Sequence, residues 1–222
     1  GARSDTLDAD GQIEEVLDAS IPEEAAIRQA IAGQVGEIRQ LPPEFSALKV
    51  NGQRAYDLAR AGQAVRLEPR LVRIDRVELL SYEWPRLALE VDCGSGTYIR
   101  SIARDVGDAL GCGGLIEVLT RTRIGPFTLA DAIDPEAVTR ESISSLIRPM
   151  KDALPGLPEL TLSEDQVANI LLGRSLSLAD FAIPELDRSD GEAALLRPDG
   201  ELLAIARIQL EQGLVAPFKV FP

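Results

Sequence analysis

The 222-residue sequence contains no histidine. That excludes a histidine general base, a histidine-bearing catalytic triad and most zinc sites. Cysteine is nearly absent too. The two present, Cys93 and Cys112, are too few for a disulfide framework and read as the reduced thiols of a cytoplasmic protein. No apolar run approaches the ~18 residues that a membrane-spanning helix needs, and no signal-peptide pattern opens the sequence. A surplus of positive charge is also missing. The formal net charge is −13, which at first sight argues against nucleic acid. Residue 1 is Gly rather than Met, and the first ten residues read like the interior of a domain. The sequence is therefore expected to be a piece of a longer protein.

What is there suits a folded chain. The hydrophobic share is 45%, enough for ordinary cores, and the length allows one or two domains of ~100–200 residues. The charge is unevenly spread. Residues 1–40 carry 3 basic and 9 acidic side chains, and residues 131–222 carry 8 and 16. The middle, 41–130, carries 12 and 11. Its arginines either line a local anion-binding face or are solvated charges.

The pattern along the chain mixes helices and strands. "DASIPEEAAIRQAIAG" predicts a helix capped by Ser20, with Pro22 in its first turn and Gly33 as its stop. "RAYDLARAG" predicts a short helix. "LVRIDRVELLSYEW" and "RLALEVDC" alternate apolar and polar residues and predict a strand pair. "YIRSIARDVGDALG" has helical spacing, with Ile99, Ile102, Val106 and Leu110 on one side. "GLIEVLTRTRIGPF" predicts a further strand, turning at Gly125–Pro126. The proline-rich "RPMKDALPGLPEL" predicts a linker. After it, Ser163 and Asp165 suggest a helix cap. Three short strands follow, two of them joined by a "PDGE" hairpin turn. The domains are expected at 1–150 and 158–222, with a linker at 151–157.

Three stretches offer chemistry. In "GSGTYIRSIARDVG", Tyr98 and Arg100 share a face if the backbone is extended. If the helix has begun, Arg100 aligns with Arg104 instead. An arginine there can clamp a carboxylate or phosphate, and a tyrosine can stack on a base; a core Tyr98 and a structural Arg100 are the alternative. In "FSALKVNGQRAYDLARAGQAV", Lys49, Arg54, Tyr56 and Arg60 interleave basic groups with an aromatic. They form either a nucleic-acid grip or an exposed loop and helix. In "LTRTRIGPF", Leu119, Arg121 and Arg123 alternate onto one strand face. "LGCGG" lacks the lysine and spacing of a phosphate loop and reads as a turn. "DTLDADG" lacks the final glutamate of a calcium loop.

Taken in order and spacing, "SDTLDADG", "LPPEFSALKVNGQRAYDLARAG", "CGSGTYIRSIARDVGDALGCGG" and "LTRTRIGPFTLADAI" resemble the TruB family of tRNA pseudouridine synthases. The likeness covers roughly residues 1–150, and the tail more weakly resembles a PUA-type RNA-binding module. The resemblance implies an α+β fold, with a mixed, largely antiparallel sheet, flanking helices and a small C-terminal β-barrel-like module. It implies isomerisation of a T-loop uridine in tRNA without cofactor or metal, the base being flipped out of its stack. It implies that Tyr98 packs against the flipped base. Arg100 would pair with a catalytic aspartate, and Leu119 would form part of the pocket wall. Residues 43–66, with Lys49 and Tyr56, resemble a mobile thumb segment.

The family carries its catalytic aspartate in a "G-x-L-D-P-x-A-x-G" motif that this sequence lacks. "TLDADG" echoes it but has no proline after Asp8. The chain alone is therefore expected to be inactive, with the sheet edge exposed by truncation open to dimer pairing. A structured-RNA-binding module without chemistry, or an acidic protein that binds no RNA, are the competing readings.

Overall fold

The computed structural model describes residues 1–50, 52–61, 67–181 and 191–222, apart from the side chains of Lys49, Val50, Arg54 and Ala59. The chain forms two compact units, Gly1–Thr120 and Arg121–Pro222. The architecture is the expected mixture of helices with largely antiparallel sheets. Among the described residues, no helix is long and apolar enough to cross a membrane.

The first unit begins with a short antiparallel pair, β1 (Ala2–Ser4) and β2 (Ile13–Glu15), then α1 (Glu24–Ala32) and β3 (Gly36–Gln40). A small hairpin, β4 (Lys49–Val50) and β5 (Gln53–Arg54), leads into α2 (Ala55–Arg60). The long β6 (Arg70–Glu83) and β7 (Arg86–Cys93) follow, then α3 (Ile99–Ala109). Strands β3, β6 and β7 form one antiparallel sheet with β6 at its centre. Helices α1 and α3 contribute Ile27, Ile31, Ile102 and Val106 to a core built with Ile74 of β6. Each fully buried isoleucine is worth roughly 1.5–3 kcal/mol.

The apolar alternation of β6 breaks twice. Val72 and Ile74 face inward, then Val77 and Leu79, then Tyr82. Register shifts fall between Ile74 and Arg76 and between Leu79 and Ser81, making Asp75 and Leu80 the extra residues. A bulge inserts one residue and resets which face the next side chains occupy. The two phase breaks in "VRIDRVELLSY" are thus the sequence imprint of two bulges.

Helix α1 starts later than the Ser20 cap predicts. Its N-cap is Glu23, with no side-chain capping bond. The residue before a proline is pushed out of the helical region, so Ile21 cannot open a helix that runs through Pro22. The Tyr82 hydroxyl instead donates to the Pro22 carbonyl at 2.7 Å.

At the other end of α3, "LGCGG" is a turn, as read. The amides of Cys112 and Gly113 both donate to the Gly107 carbonyl, at 3.0 and 3.1 Å. Here helix and loop meet backbone to backbone. A Cβ on Gly107 would lie 2.2 Å from the Gly113 carbonyl carbon, and one on Gly114 would lie 2.1 Å from the Ala103 oxygen.

The second unit opens with β8 (Arg123–Ile124) and β9 (Phe127–Thr128), a minimal hairpin turning at Gly125, whose φ is +54°. The strand expected over "GLIEVLTRTRIGPF" shrinks to these residues. A strand persists only where a neighbour completes its ladder. Residues 115–122 find none among the described residues beyond an isolated bridge between Asp8 and Ile116, and Val118 stands exposed.

After a single turn, α4 (Ile143–Leu146), come β10 (Glu159–Thr161), α5 (Glu164–Leu171) and β11 (Leu176–Ser177). The last three strands are β12 (Gly191–Leu196), β13 (Leu202–Gln209) and β14 (Leu214–Val220). With β10 and β11 they form a five-stranded sheet in the order β10-β12-β13-β14-β11. Helix α5 is closed by a capping box in which Gln166, rather than Asp165, answers Ser163. The reciprocal bond comes from the third helical residue, and Asp165 is only the second. Val167 and Ile170 seal one face of the sheet with Leu195, Leu203 and Val215. The other face of β12, carrying Ala194 and Leu196, is covered by Leu154, Leu157 and Phe221. Two residues of the proline-rich stretch expected as a linker are thus packed in this unit.

Gly107→Ala is expected to lower unfolding stability by about 1–3 kcal/mol, the usual cost of overpacking. Urea unfolding of the two proteins measures this directly; an unchanged midpoint would mean that the helix can back away from the loop.

Candidate functional site

A cleft of about 550 Å³ opens in the first unit, a size within the range of small-molecule and cofactor sites. Its walls come from three segments far apart in sequence. Thr6, Asp8 and Asp10 come from the loop after β1. Phe45, Ser46, Ala47, Tyr56 and Arg60 come from the stretch between β3 and the end of α2. Tyr98 and Arg100 come from the start of α3.

Tyr98 is the N-cap of α3, with φ −102° and ψ 107°, and Arg100 lies in the first helical turn. The helix has begun by Arg100, yet both side chains line the cleft. Tyr98 is fixed through its backbone. Gln40, only 1% exposed, places its side-chain amide across that residue. Its Oε1 accepts from the Tyr98 amide at 2.8 Å, and its Nε2 donates to the Tyr98 carbonyl at 3.1 Å. One glutamine thereby satisfies both polar groups of the residue where strand geometry becomes helix.

Arg100 joins the three segments. Its Nη1 donates to Asp8 Oδ2 at 2.8 Å and to the Thr6 carbonyl at 3.0 Å. Its Nη2 donates to the Phe45 carbonyl at 2.8 Å. One turn on, Arg104 Nη2 and Ser101 Oγ both donate to the Leu41 carbonyl, at 2.9 and 2.8 Å. Arg100 and Arg104 thus work from neighbouring positions of one helix face. Together they tie the "LPPEF" turn to α3.

The acidic loop is tightly folded around Asp8. The Thr6 hydroxyl donates to Asp8 Oδ1 at 2.5 Å, and the Asp10 amide to the same oxygen at 3.2 Å. Leu7 adopts φ +63°, a left-handed conformation that costs a non-glycine residue about 1–2 kcal/mol. The loop is held there by Ile116, whose amide donates to the Leu7 carbonyl at 3.0 Å while its carbonyl accepts from the Ala9 amide at 2.9 Å. Burial pushes the Asp8 carboxyl up, but the Thr6 hydroxyl, the Asp10 amide and the Arg100 guanidinium outweigh it and hold the group below the usual carboxylate range.

Nothing in the local sequence marked Asp8 as the partner of Arg100, because the two are 92 positions apart. The available signal was the close spacing of acids in "SDTLDADG". Gln40 was missed for a similar reason: it reads as an ordinary strand residue.

The other residues singled out by sequence are placed as follows. Tyr56 and Arg60 line the cleft, with the Arg60 guanidinium carbon 4.4 Å from the centre of the Tyr56 ring. Phe45 meets Tyr56 edge-on, 6.3 Å between centroids at 78°. Lys49 and Arg54 pair across the β4–β5 hairpin, and their side chains lie outside the described residues, as do residues 62–66 of the thumb-like segment. Leu119 is exposed and does not belong to the cleft lining. Arg121 and Arg123 are exposed residues of the second unit. Among the described residues, no group of three or more acidic or cysteine side chains is arranged to hold a metal ion.

Comparison with known proteins places the chain in a family. Residues 1–99 match the family model described as the N-terminal domain of TruB family pseudouridylate synthases. Residues 100–155 match that of the tRNA pseudouridylate synthase B C-terminal domain. The chain belongs to the TruB family of pseudouridylate synthases. It is 37% identical over 220 residues to tRNA pseudouridine synthase B of Burkholderia mallei (strain NCTC 10247), covering 98% of this chain and 72% of that protein. It is 39% identical over 212 residues to the protein of the same name from Arthrobacter sp. (strain FB24), covering 92% and 69%. Among solved structures, a chain of a Cbf5-Nop10-Gar1 complex superposes with a TM-score of 0.67 at 25% identity. That match covers 92% of this TruB-family chain and 63% of the other.

The Asp8–Arg100 pair predicts a particular pH response. A carboxyl whose pKa is depressed by folding stabilises above its unfolded pKa and loses that contribution as pH falls through the folded value. At neutral pH, Asp8→Asn is expected to cost about 1.5–3 kcal/mol, the range for a hydrogen bond to a charged group. The gap between the two proteins should close as the solution is made more acidic than the ordinary carboxylate pKa. Urea unfolding at stepped pH measures it, and a gap independent of pH would rule out the ion pair as its source.

Proposed function

We propose that this chain carries the base-platform and arginine side of a tRNA pseudouridine synthase site, acting on a uridine in the T loop. The observation that carries this reading is the bonding of Arg100. A guanidinium has five N–H donors. Three are spent on Asp8, Thr6 and Phe45, and two have no acceptor among the described residues. Arg100 therefore retains donors for a second carboxylate, which a forked, charge-assisted contact would hold ionised and aimed.

Isomerisation to pseudouridine breaks the bond from ribose to the base nitrogen, turns the base and rejoins it through carbon. In this reading Tyr98 takes the face of the flipped base. Tyr56, Arg60, Lys49 and Arg54 grip the T stem-loop, Arg121 and Arg123 add phosphate contacts, and Leu119, exposed outside the cleft lining, adds an apolar wall against the bound RNA. The resemblance of 158–222 to a PUA-type module makes it a second RNA contact. The setting is cytoplasmic.

The 222 residues contain no "G-x-L-D-P" motif, so the chain by itself is proposed to bind the T stem-loop without converting it. Incubating the purified chain with a T stem-loop hairpin and assaying the RNA for pseudouridine by mass spectrometry should give none. Fluorescence anisotropy should show binding that weakens steeply from 50 to 200 mM salt, as released counterions require. Pseudouridine formation would overturn the proposed silence, and absence of binding at low salt would overturn the RNA reading.

A second copy is a further candidate partner. Strand β7 is an outer strand of its sheet among the described residues, and its eight residues present a row of backbone groups suited to strand pairing. Sedimentation at increasing concentration should show a monomer–dimer equilibrium that Val91→Pro abolishes; a constant monomer mass would exclude it.

A further inference from the structure

Ser46 stands apart from the other polar groups of the cleft. The residue lines the cleft yet is only 5% exposed. Its hydroxyl oxygen is shut away from water with no hydrogen-bond partner among the described residues. Its neighbours are otherwise engaged. Thr6, Asp8 and Arg100 bond to one another, and Arg60 lies over the Tyr56 ring. The backbone of Ser46 is also committed: its carbonyl accepts from the Tyr56 amide at 3.0 Å, and its amide donates to the Glu44 carbonyl at 3.0 Å. Only the side chain is idle.

A buried hydroxyl without a partner destabilises a folded chain, and native structures keep few such groups without a role, a bound water or an ion to account for them. Serine has a single side-chain torsion with three staggered positions, so turning the hydroxyl toward the cleft requires no movement of the backbone that Tyr56 holds. The group can both donate to a carbonyl and accept from an N–H. A uracil offers both kinds of group along its edge. With the face of the base taken by Tyr98, that edge is what the walls of the cleft meet.

We infer that Ser46 is a positioning residue whose hydroxyl takes the polar edge of the nucleobase held in the cleft. The inference rests on the reading of the cleft as the site of a flipped uridine. It differs from a packing role for Ser46 in one measurable respect. Removing the hydroxyl should weaken binding of a base without weakening the fold.

The test compares the wild-type chain with Ser46→Ala on two T stem-loop hairpins. One carries uridine at the target position and the other an abasic ribose there. Ser46→Ala is expected to bind the uridine hairpin about three- to tenfold more weakly, the worth of one neutral hydrogen bond. It should bind the abasic hairpin as the wild type does, and its melting temperature should be unchanged or higher. Equal affinities of the two proteins for the uridine hairpin, equal losses on both RNAs, or a lowered melting temperature would each overturn the assignment. A wild-type chain that binds neither hairpin would instead overturn the RNA reading, and this inference with it.

Discussion

The cleft depends on one guanidinium. Arg100 reaches from the first turn of α3 to the acidic loop near the start of the chain and to the carbonyl of Phe45. These contacts span separations of 55 to 94 residues. The loop around Asp8 contains a strained Leu7, and such a conformation persists only where its surroundings over-determine it. The ion pair is three-quarters buried, with side-chain exposures of 28% and 24%. It is therefore less screened than the ion pairs on the outer face of β6 and β7, where Arg76 meets Asp92 and Glu90.

A strongly acidic chain proposed to handle RNA has to confine its attraction to one place. The whole chain repels phosphate, yet its excess of acid lies outside residues 41–130. Inside the cleft, Asp8 is already neutralised by Arg100 and Arg60 is stacked on Tyr56. In the proposed reading, phosphates are held by salt-sensitive basic residues outside the cleft, and the base in it is met by aromatic faces and directed hydrogen bonds. Such contacts are short-ranged and survive an unfavourable overall field.

Local patterns were legible where periodicity decided the outcome. Helix α3, the β6–β7 pair and the β12–β13 hairpin fall where alternation and helical spacing put them. Even the bulges at Asp75 and Leu80 left a readable phase break. Start and stop points were less legible. Ser20 looked like a cap, but Pro22 controls the conformation of the residue before it. The strand read over residues 114–127 had the right composition, but a strand exists only if another lies beside it, and that is a property of the fold. The site was half legible. Tyr98 and Arg100 stood out because packing could not explain them. Asp8 and Gln40 did not, since their roles come from contacts 92 and 58 residues away.

Strand β12 carries a practical lesson about where this chain can be divided. Its residues Ala193–Leu196 are buried on both sides, one side against α5 and the other against Leu154, Leu157 and Phe221. The obvious place to cut out the C-terminal module is the run of prolines ending at Pro158. A cut there removes two of the three side chains that roof the second face. The resulting protein would present Ala194, Leu196 and Leu202 as an apolar seam on a sheet, a surface suited to self-association. The five-stranded sheet therefore needs chain upstream of β10, an irregular stretch that makes no ladder but finishes the core.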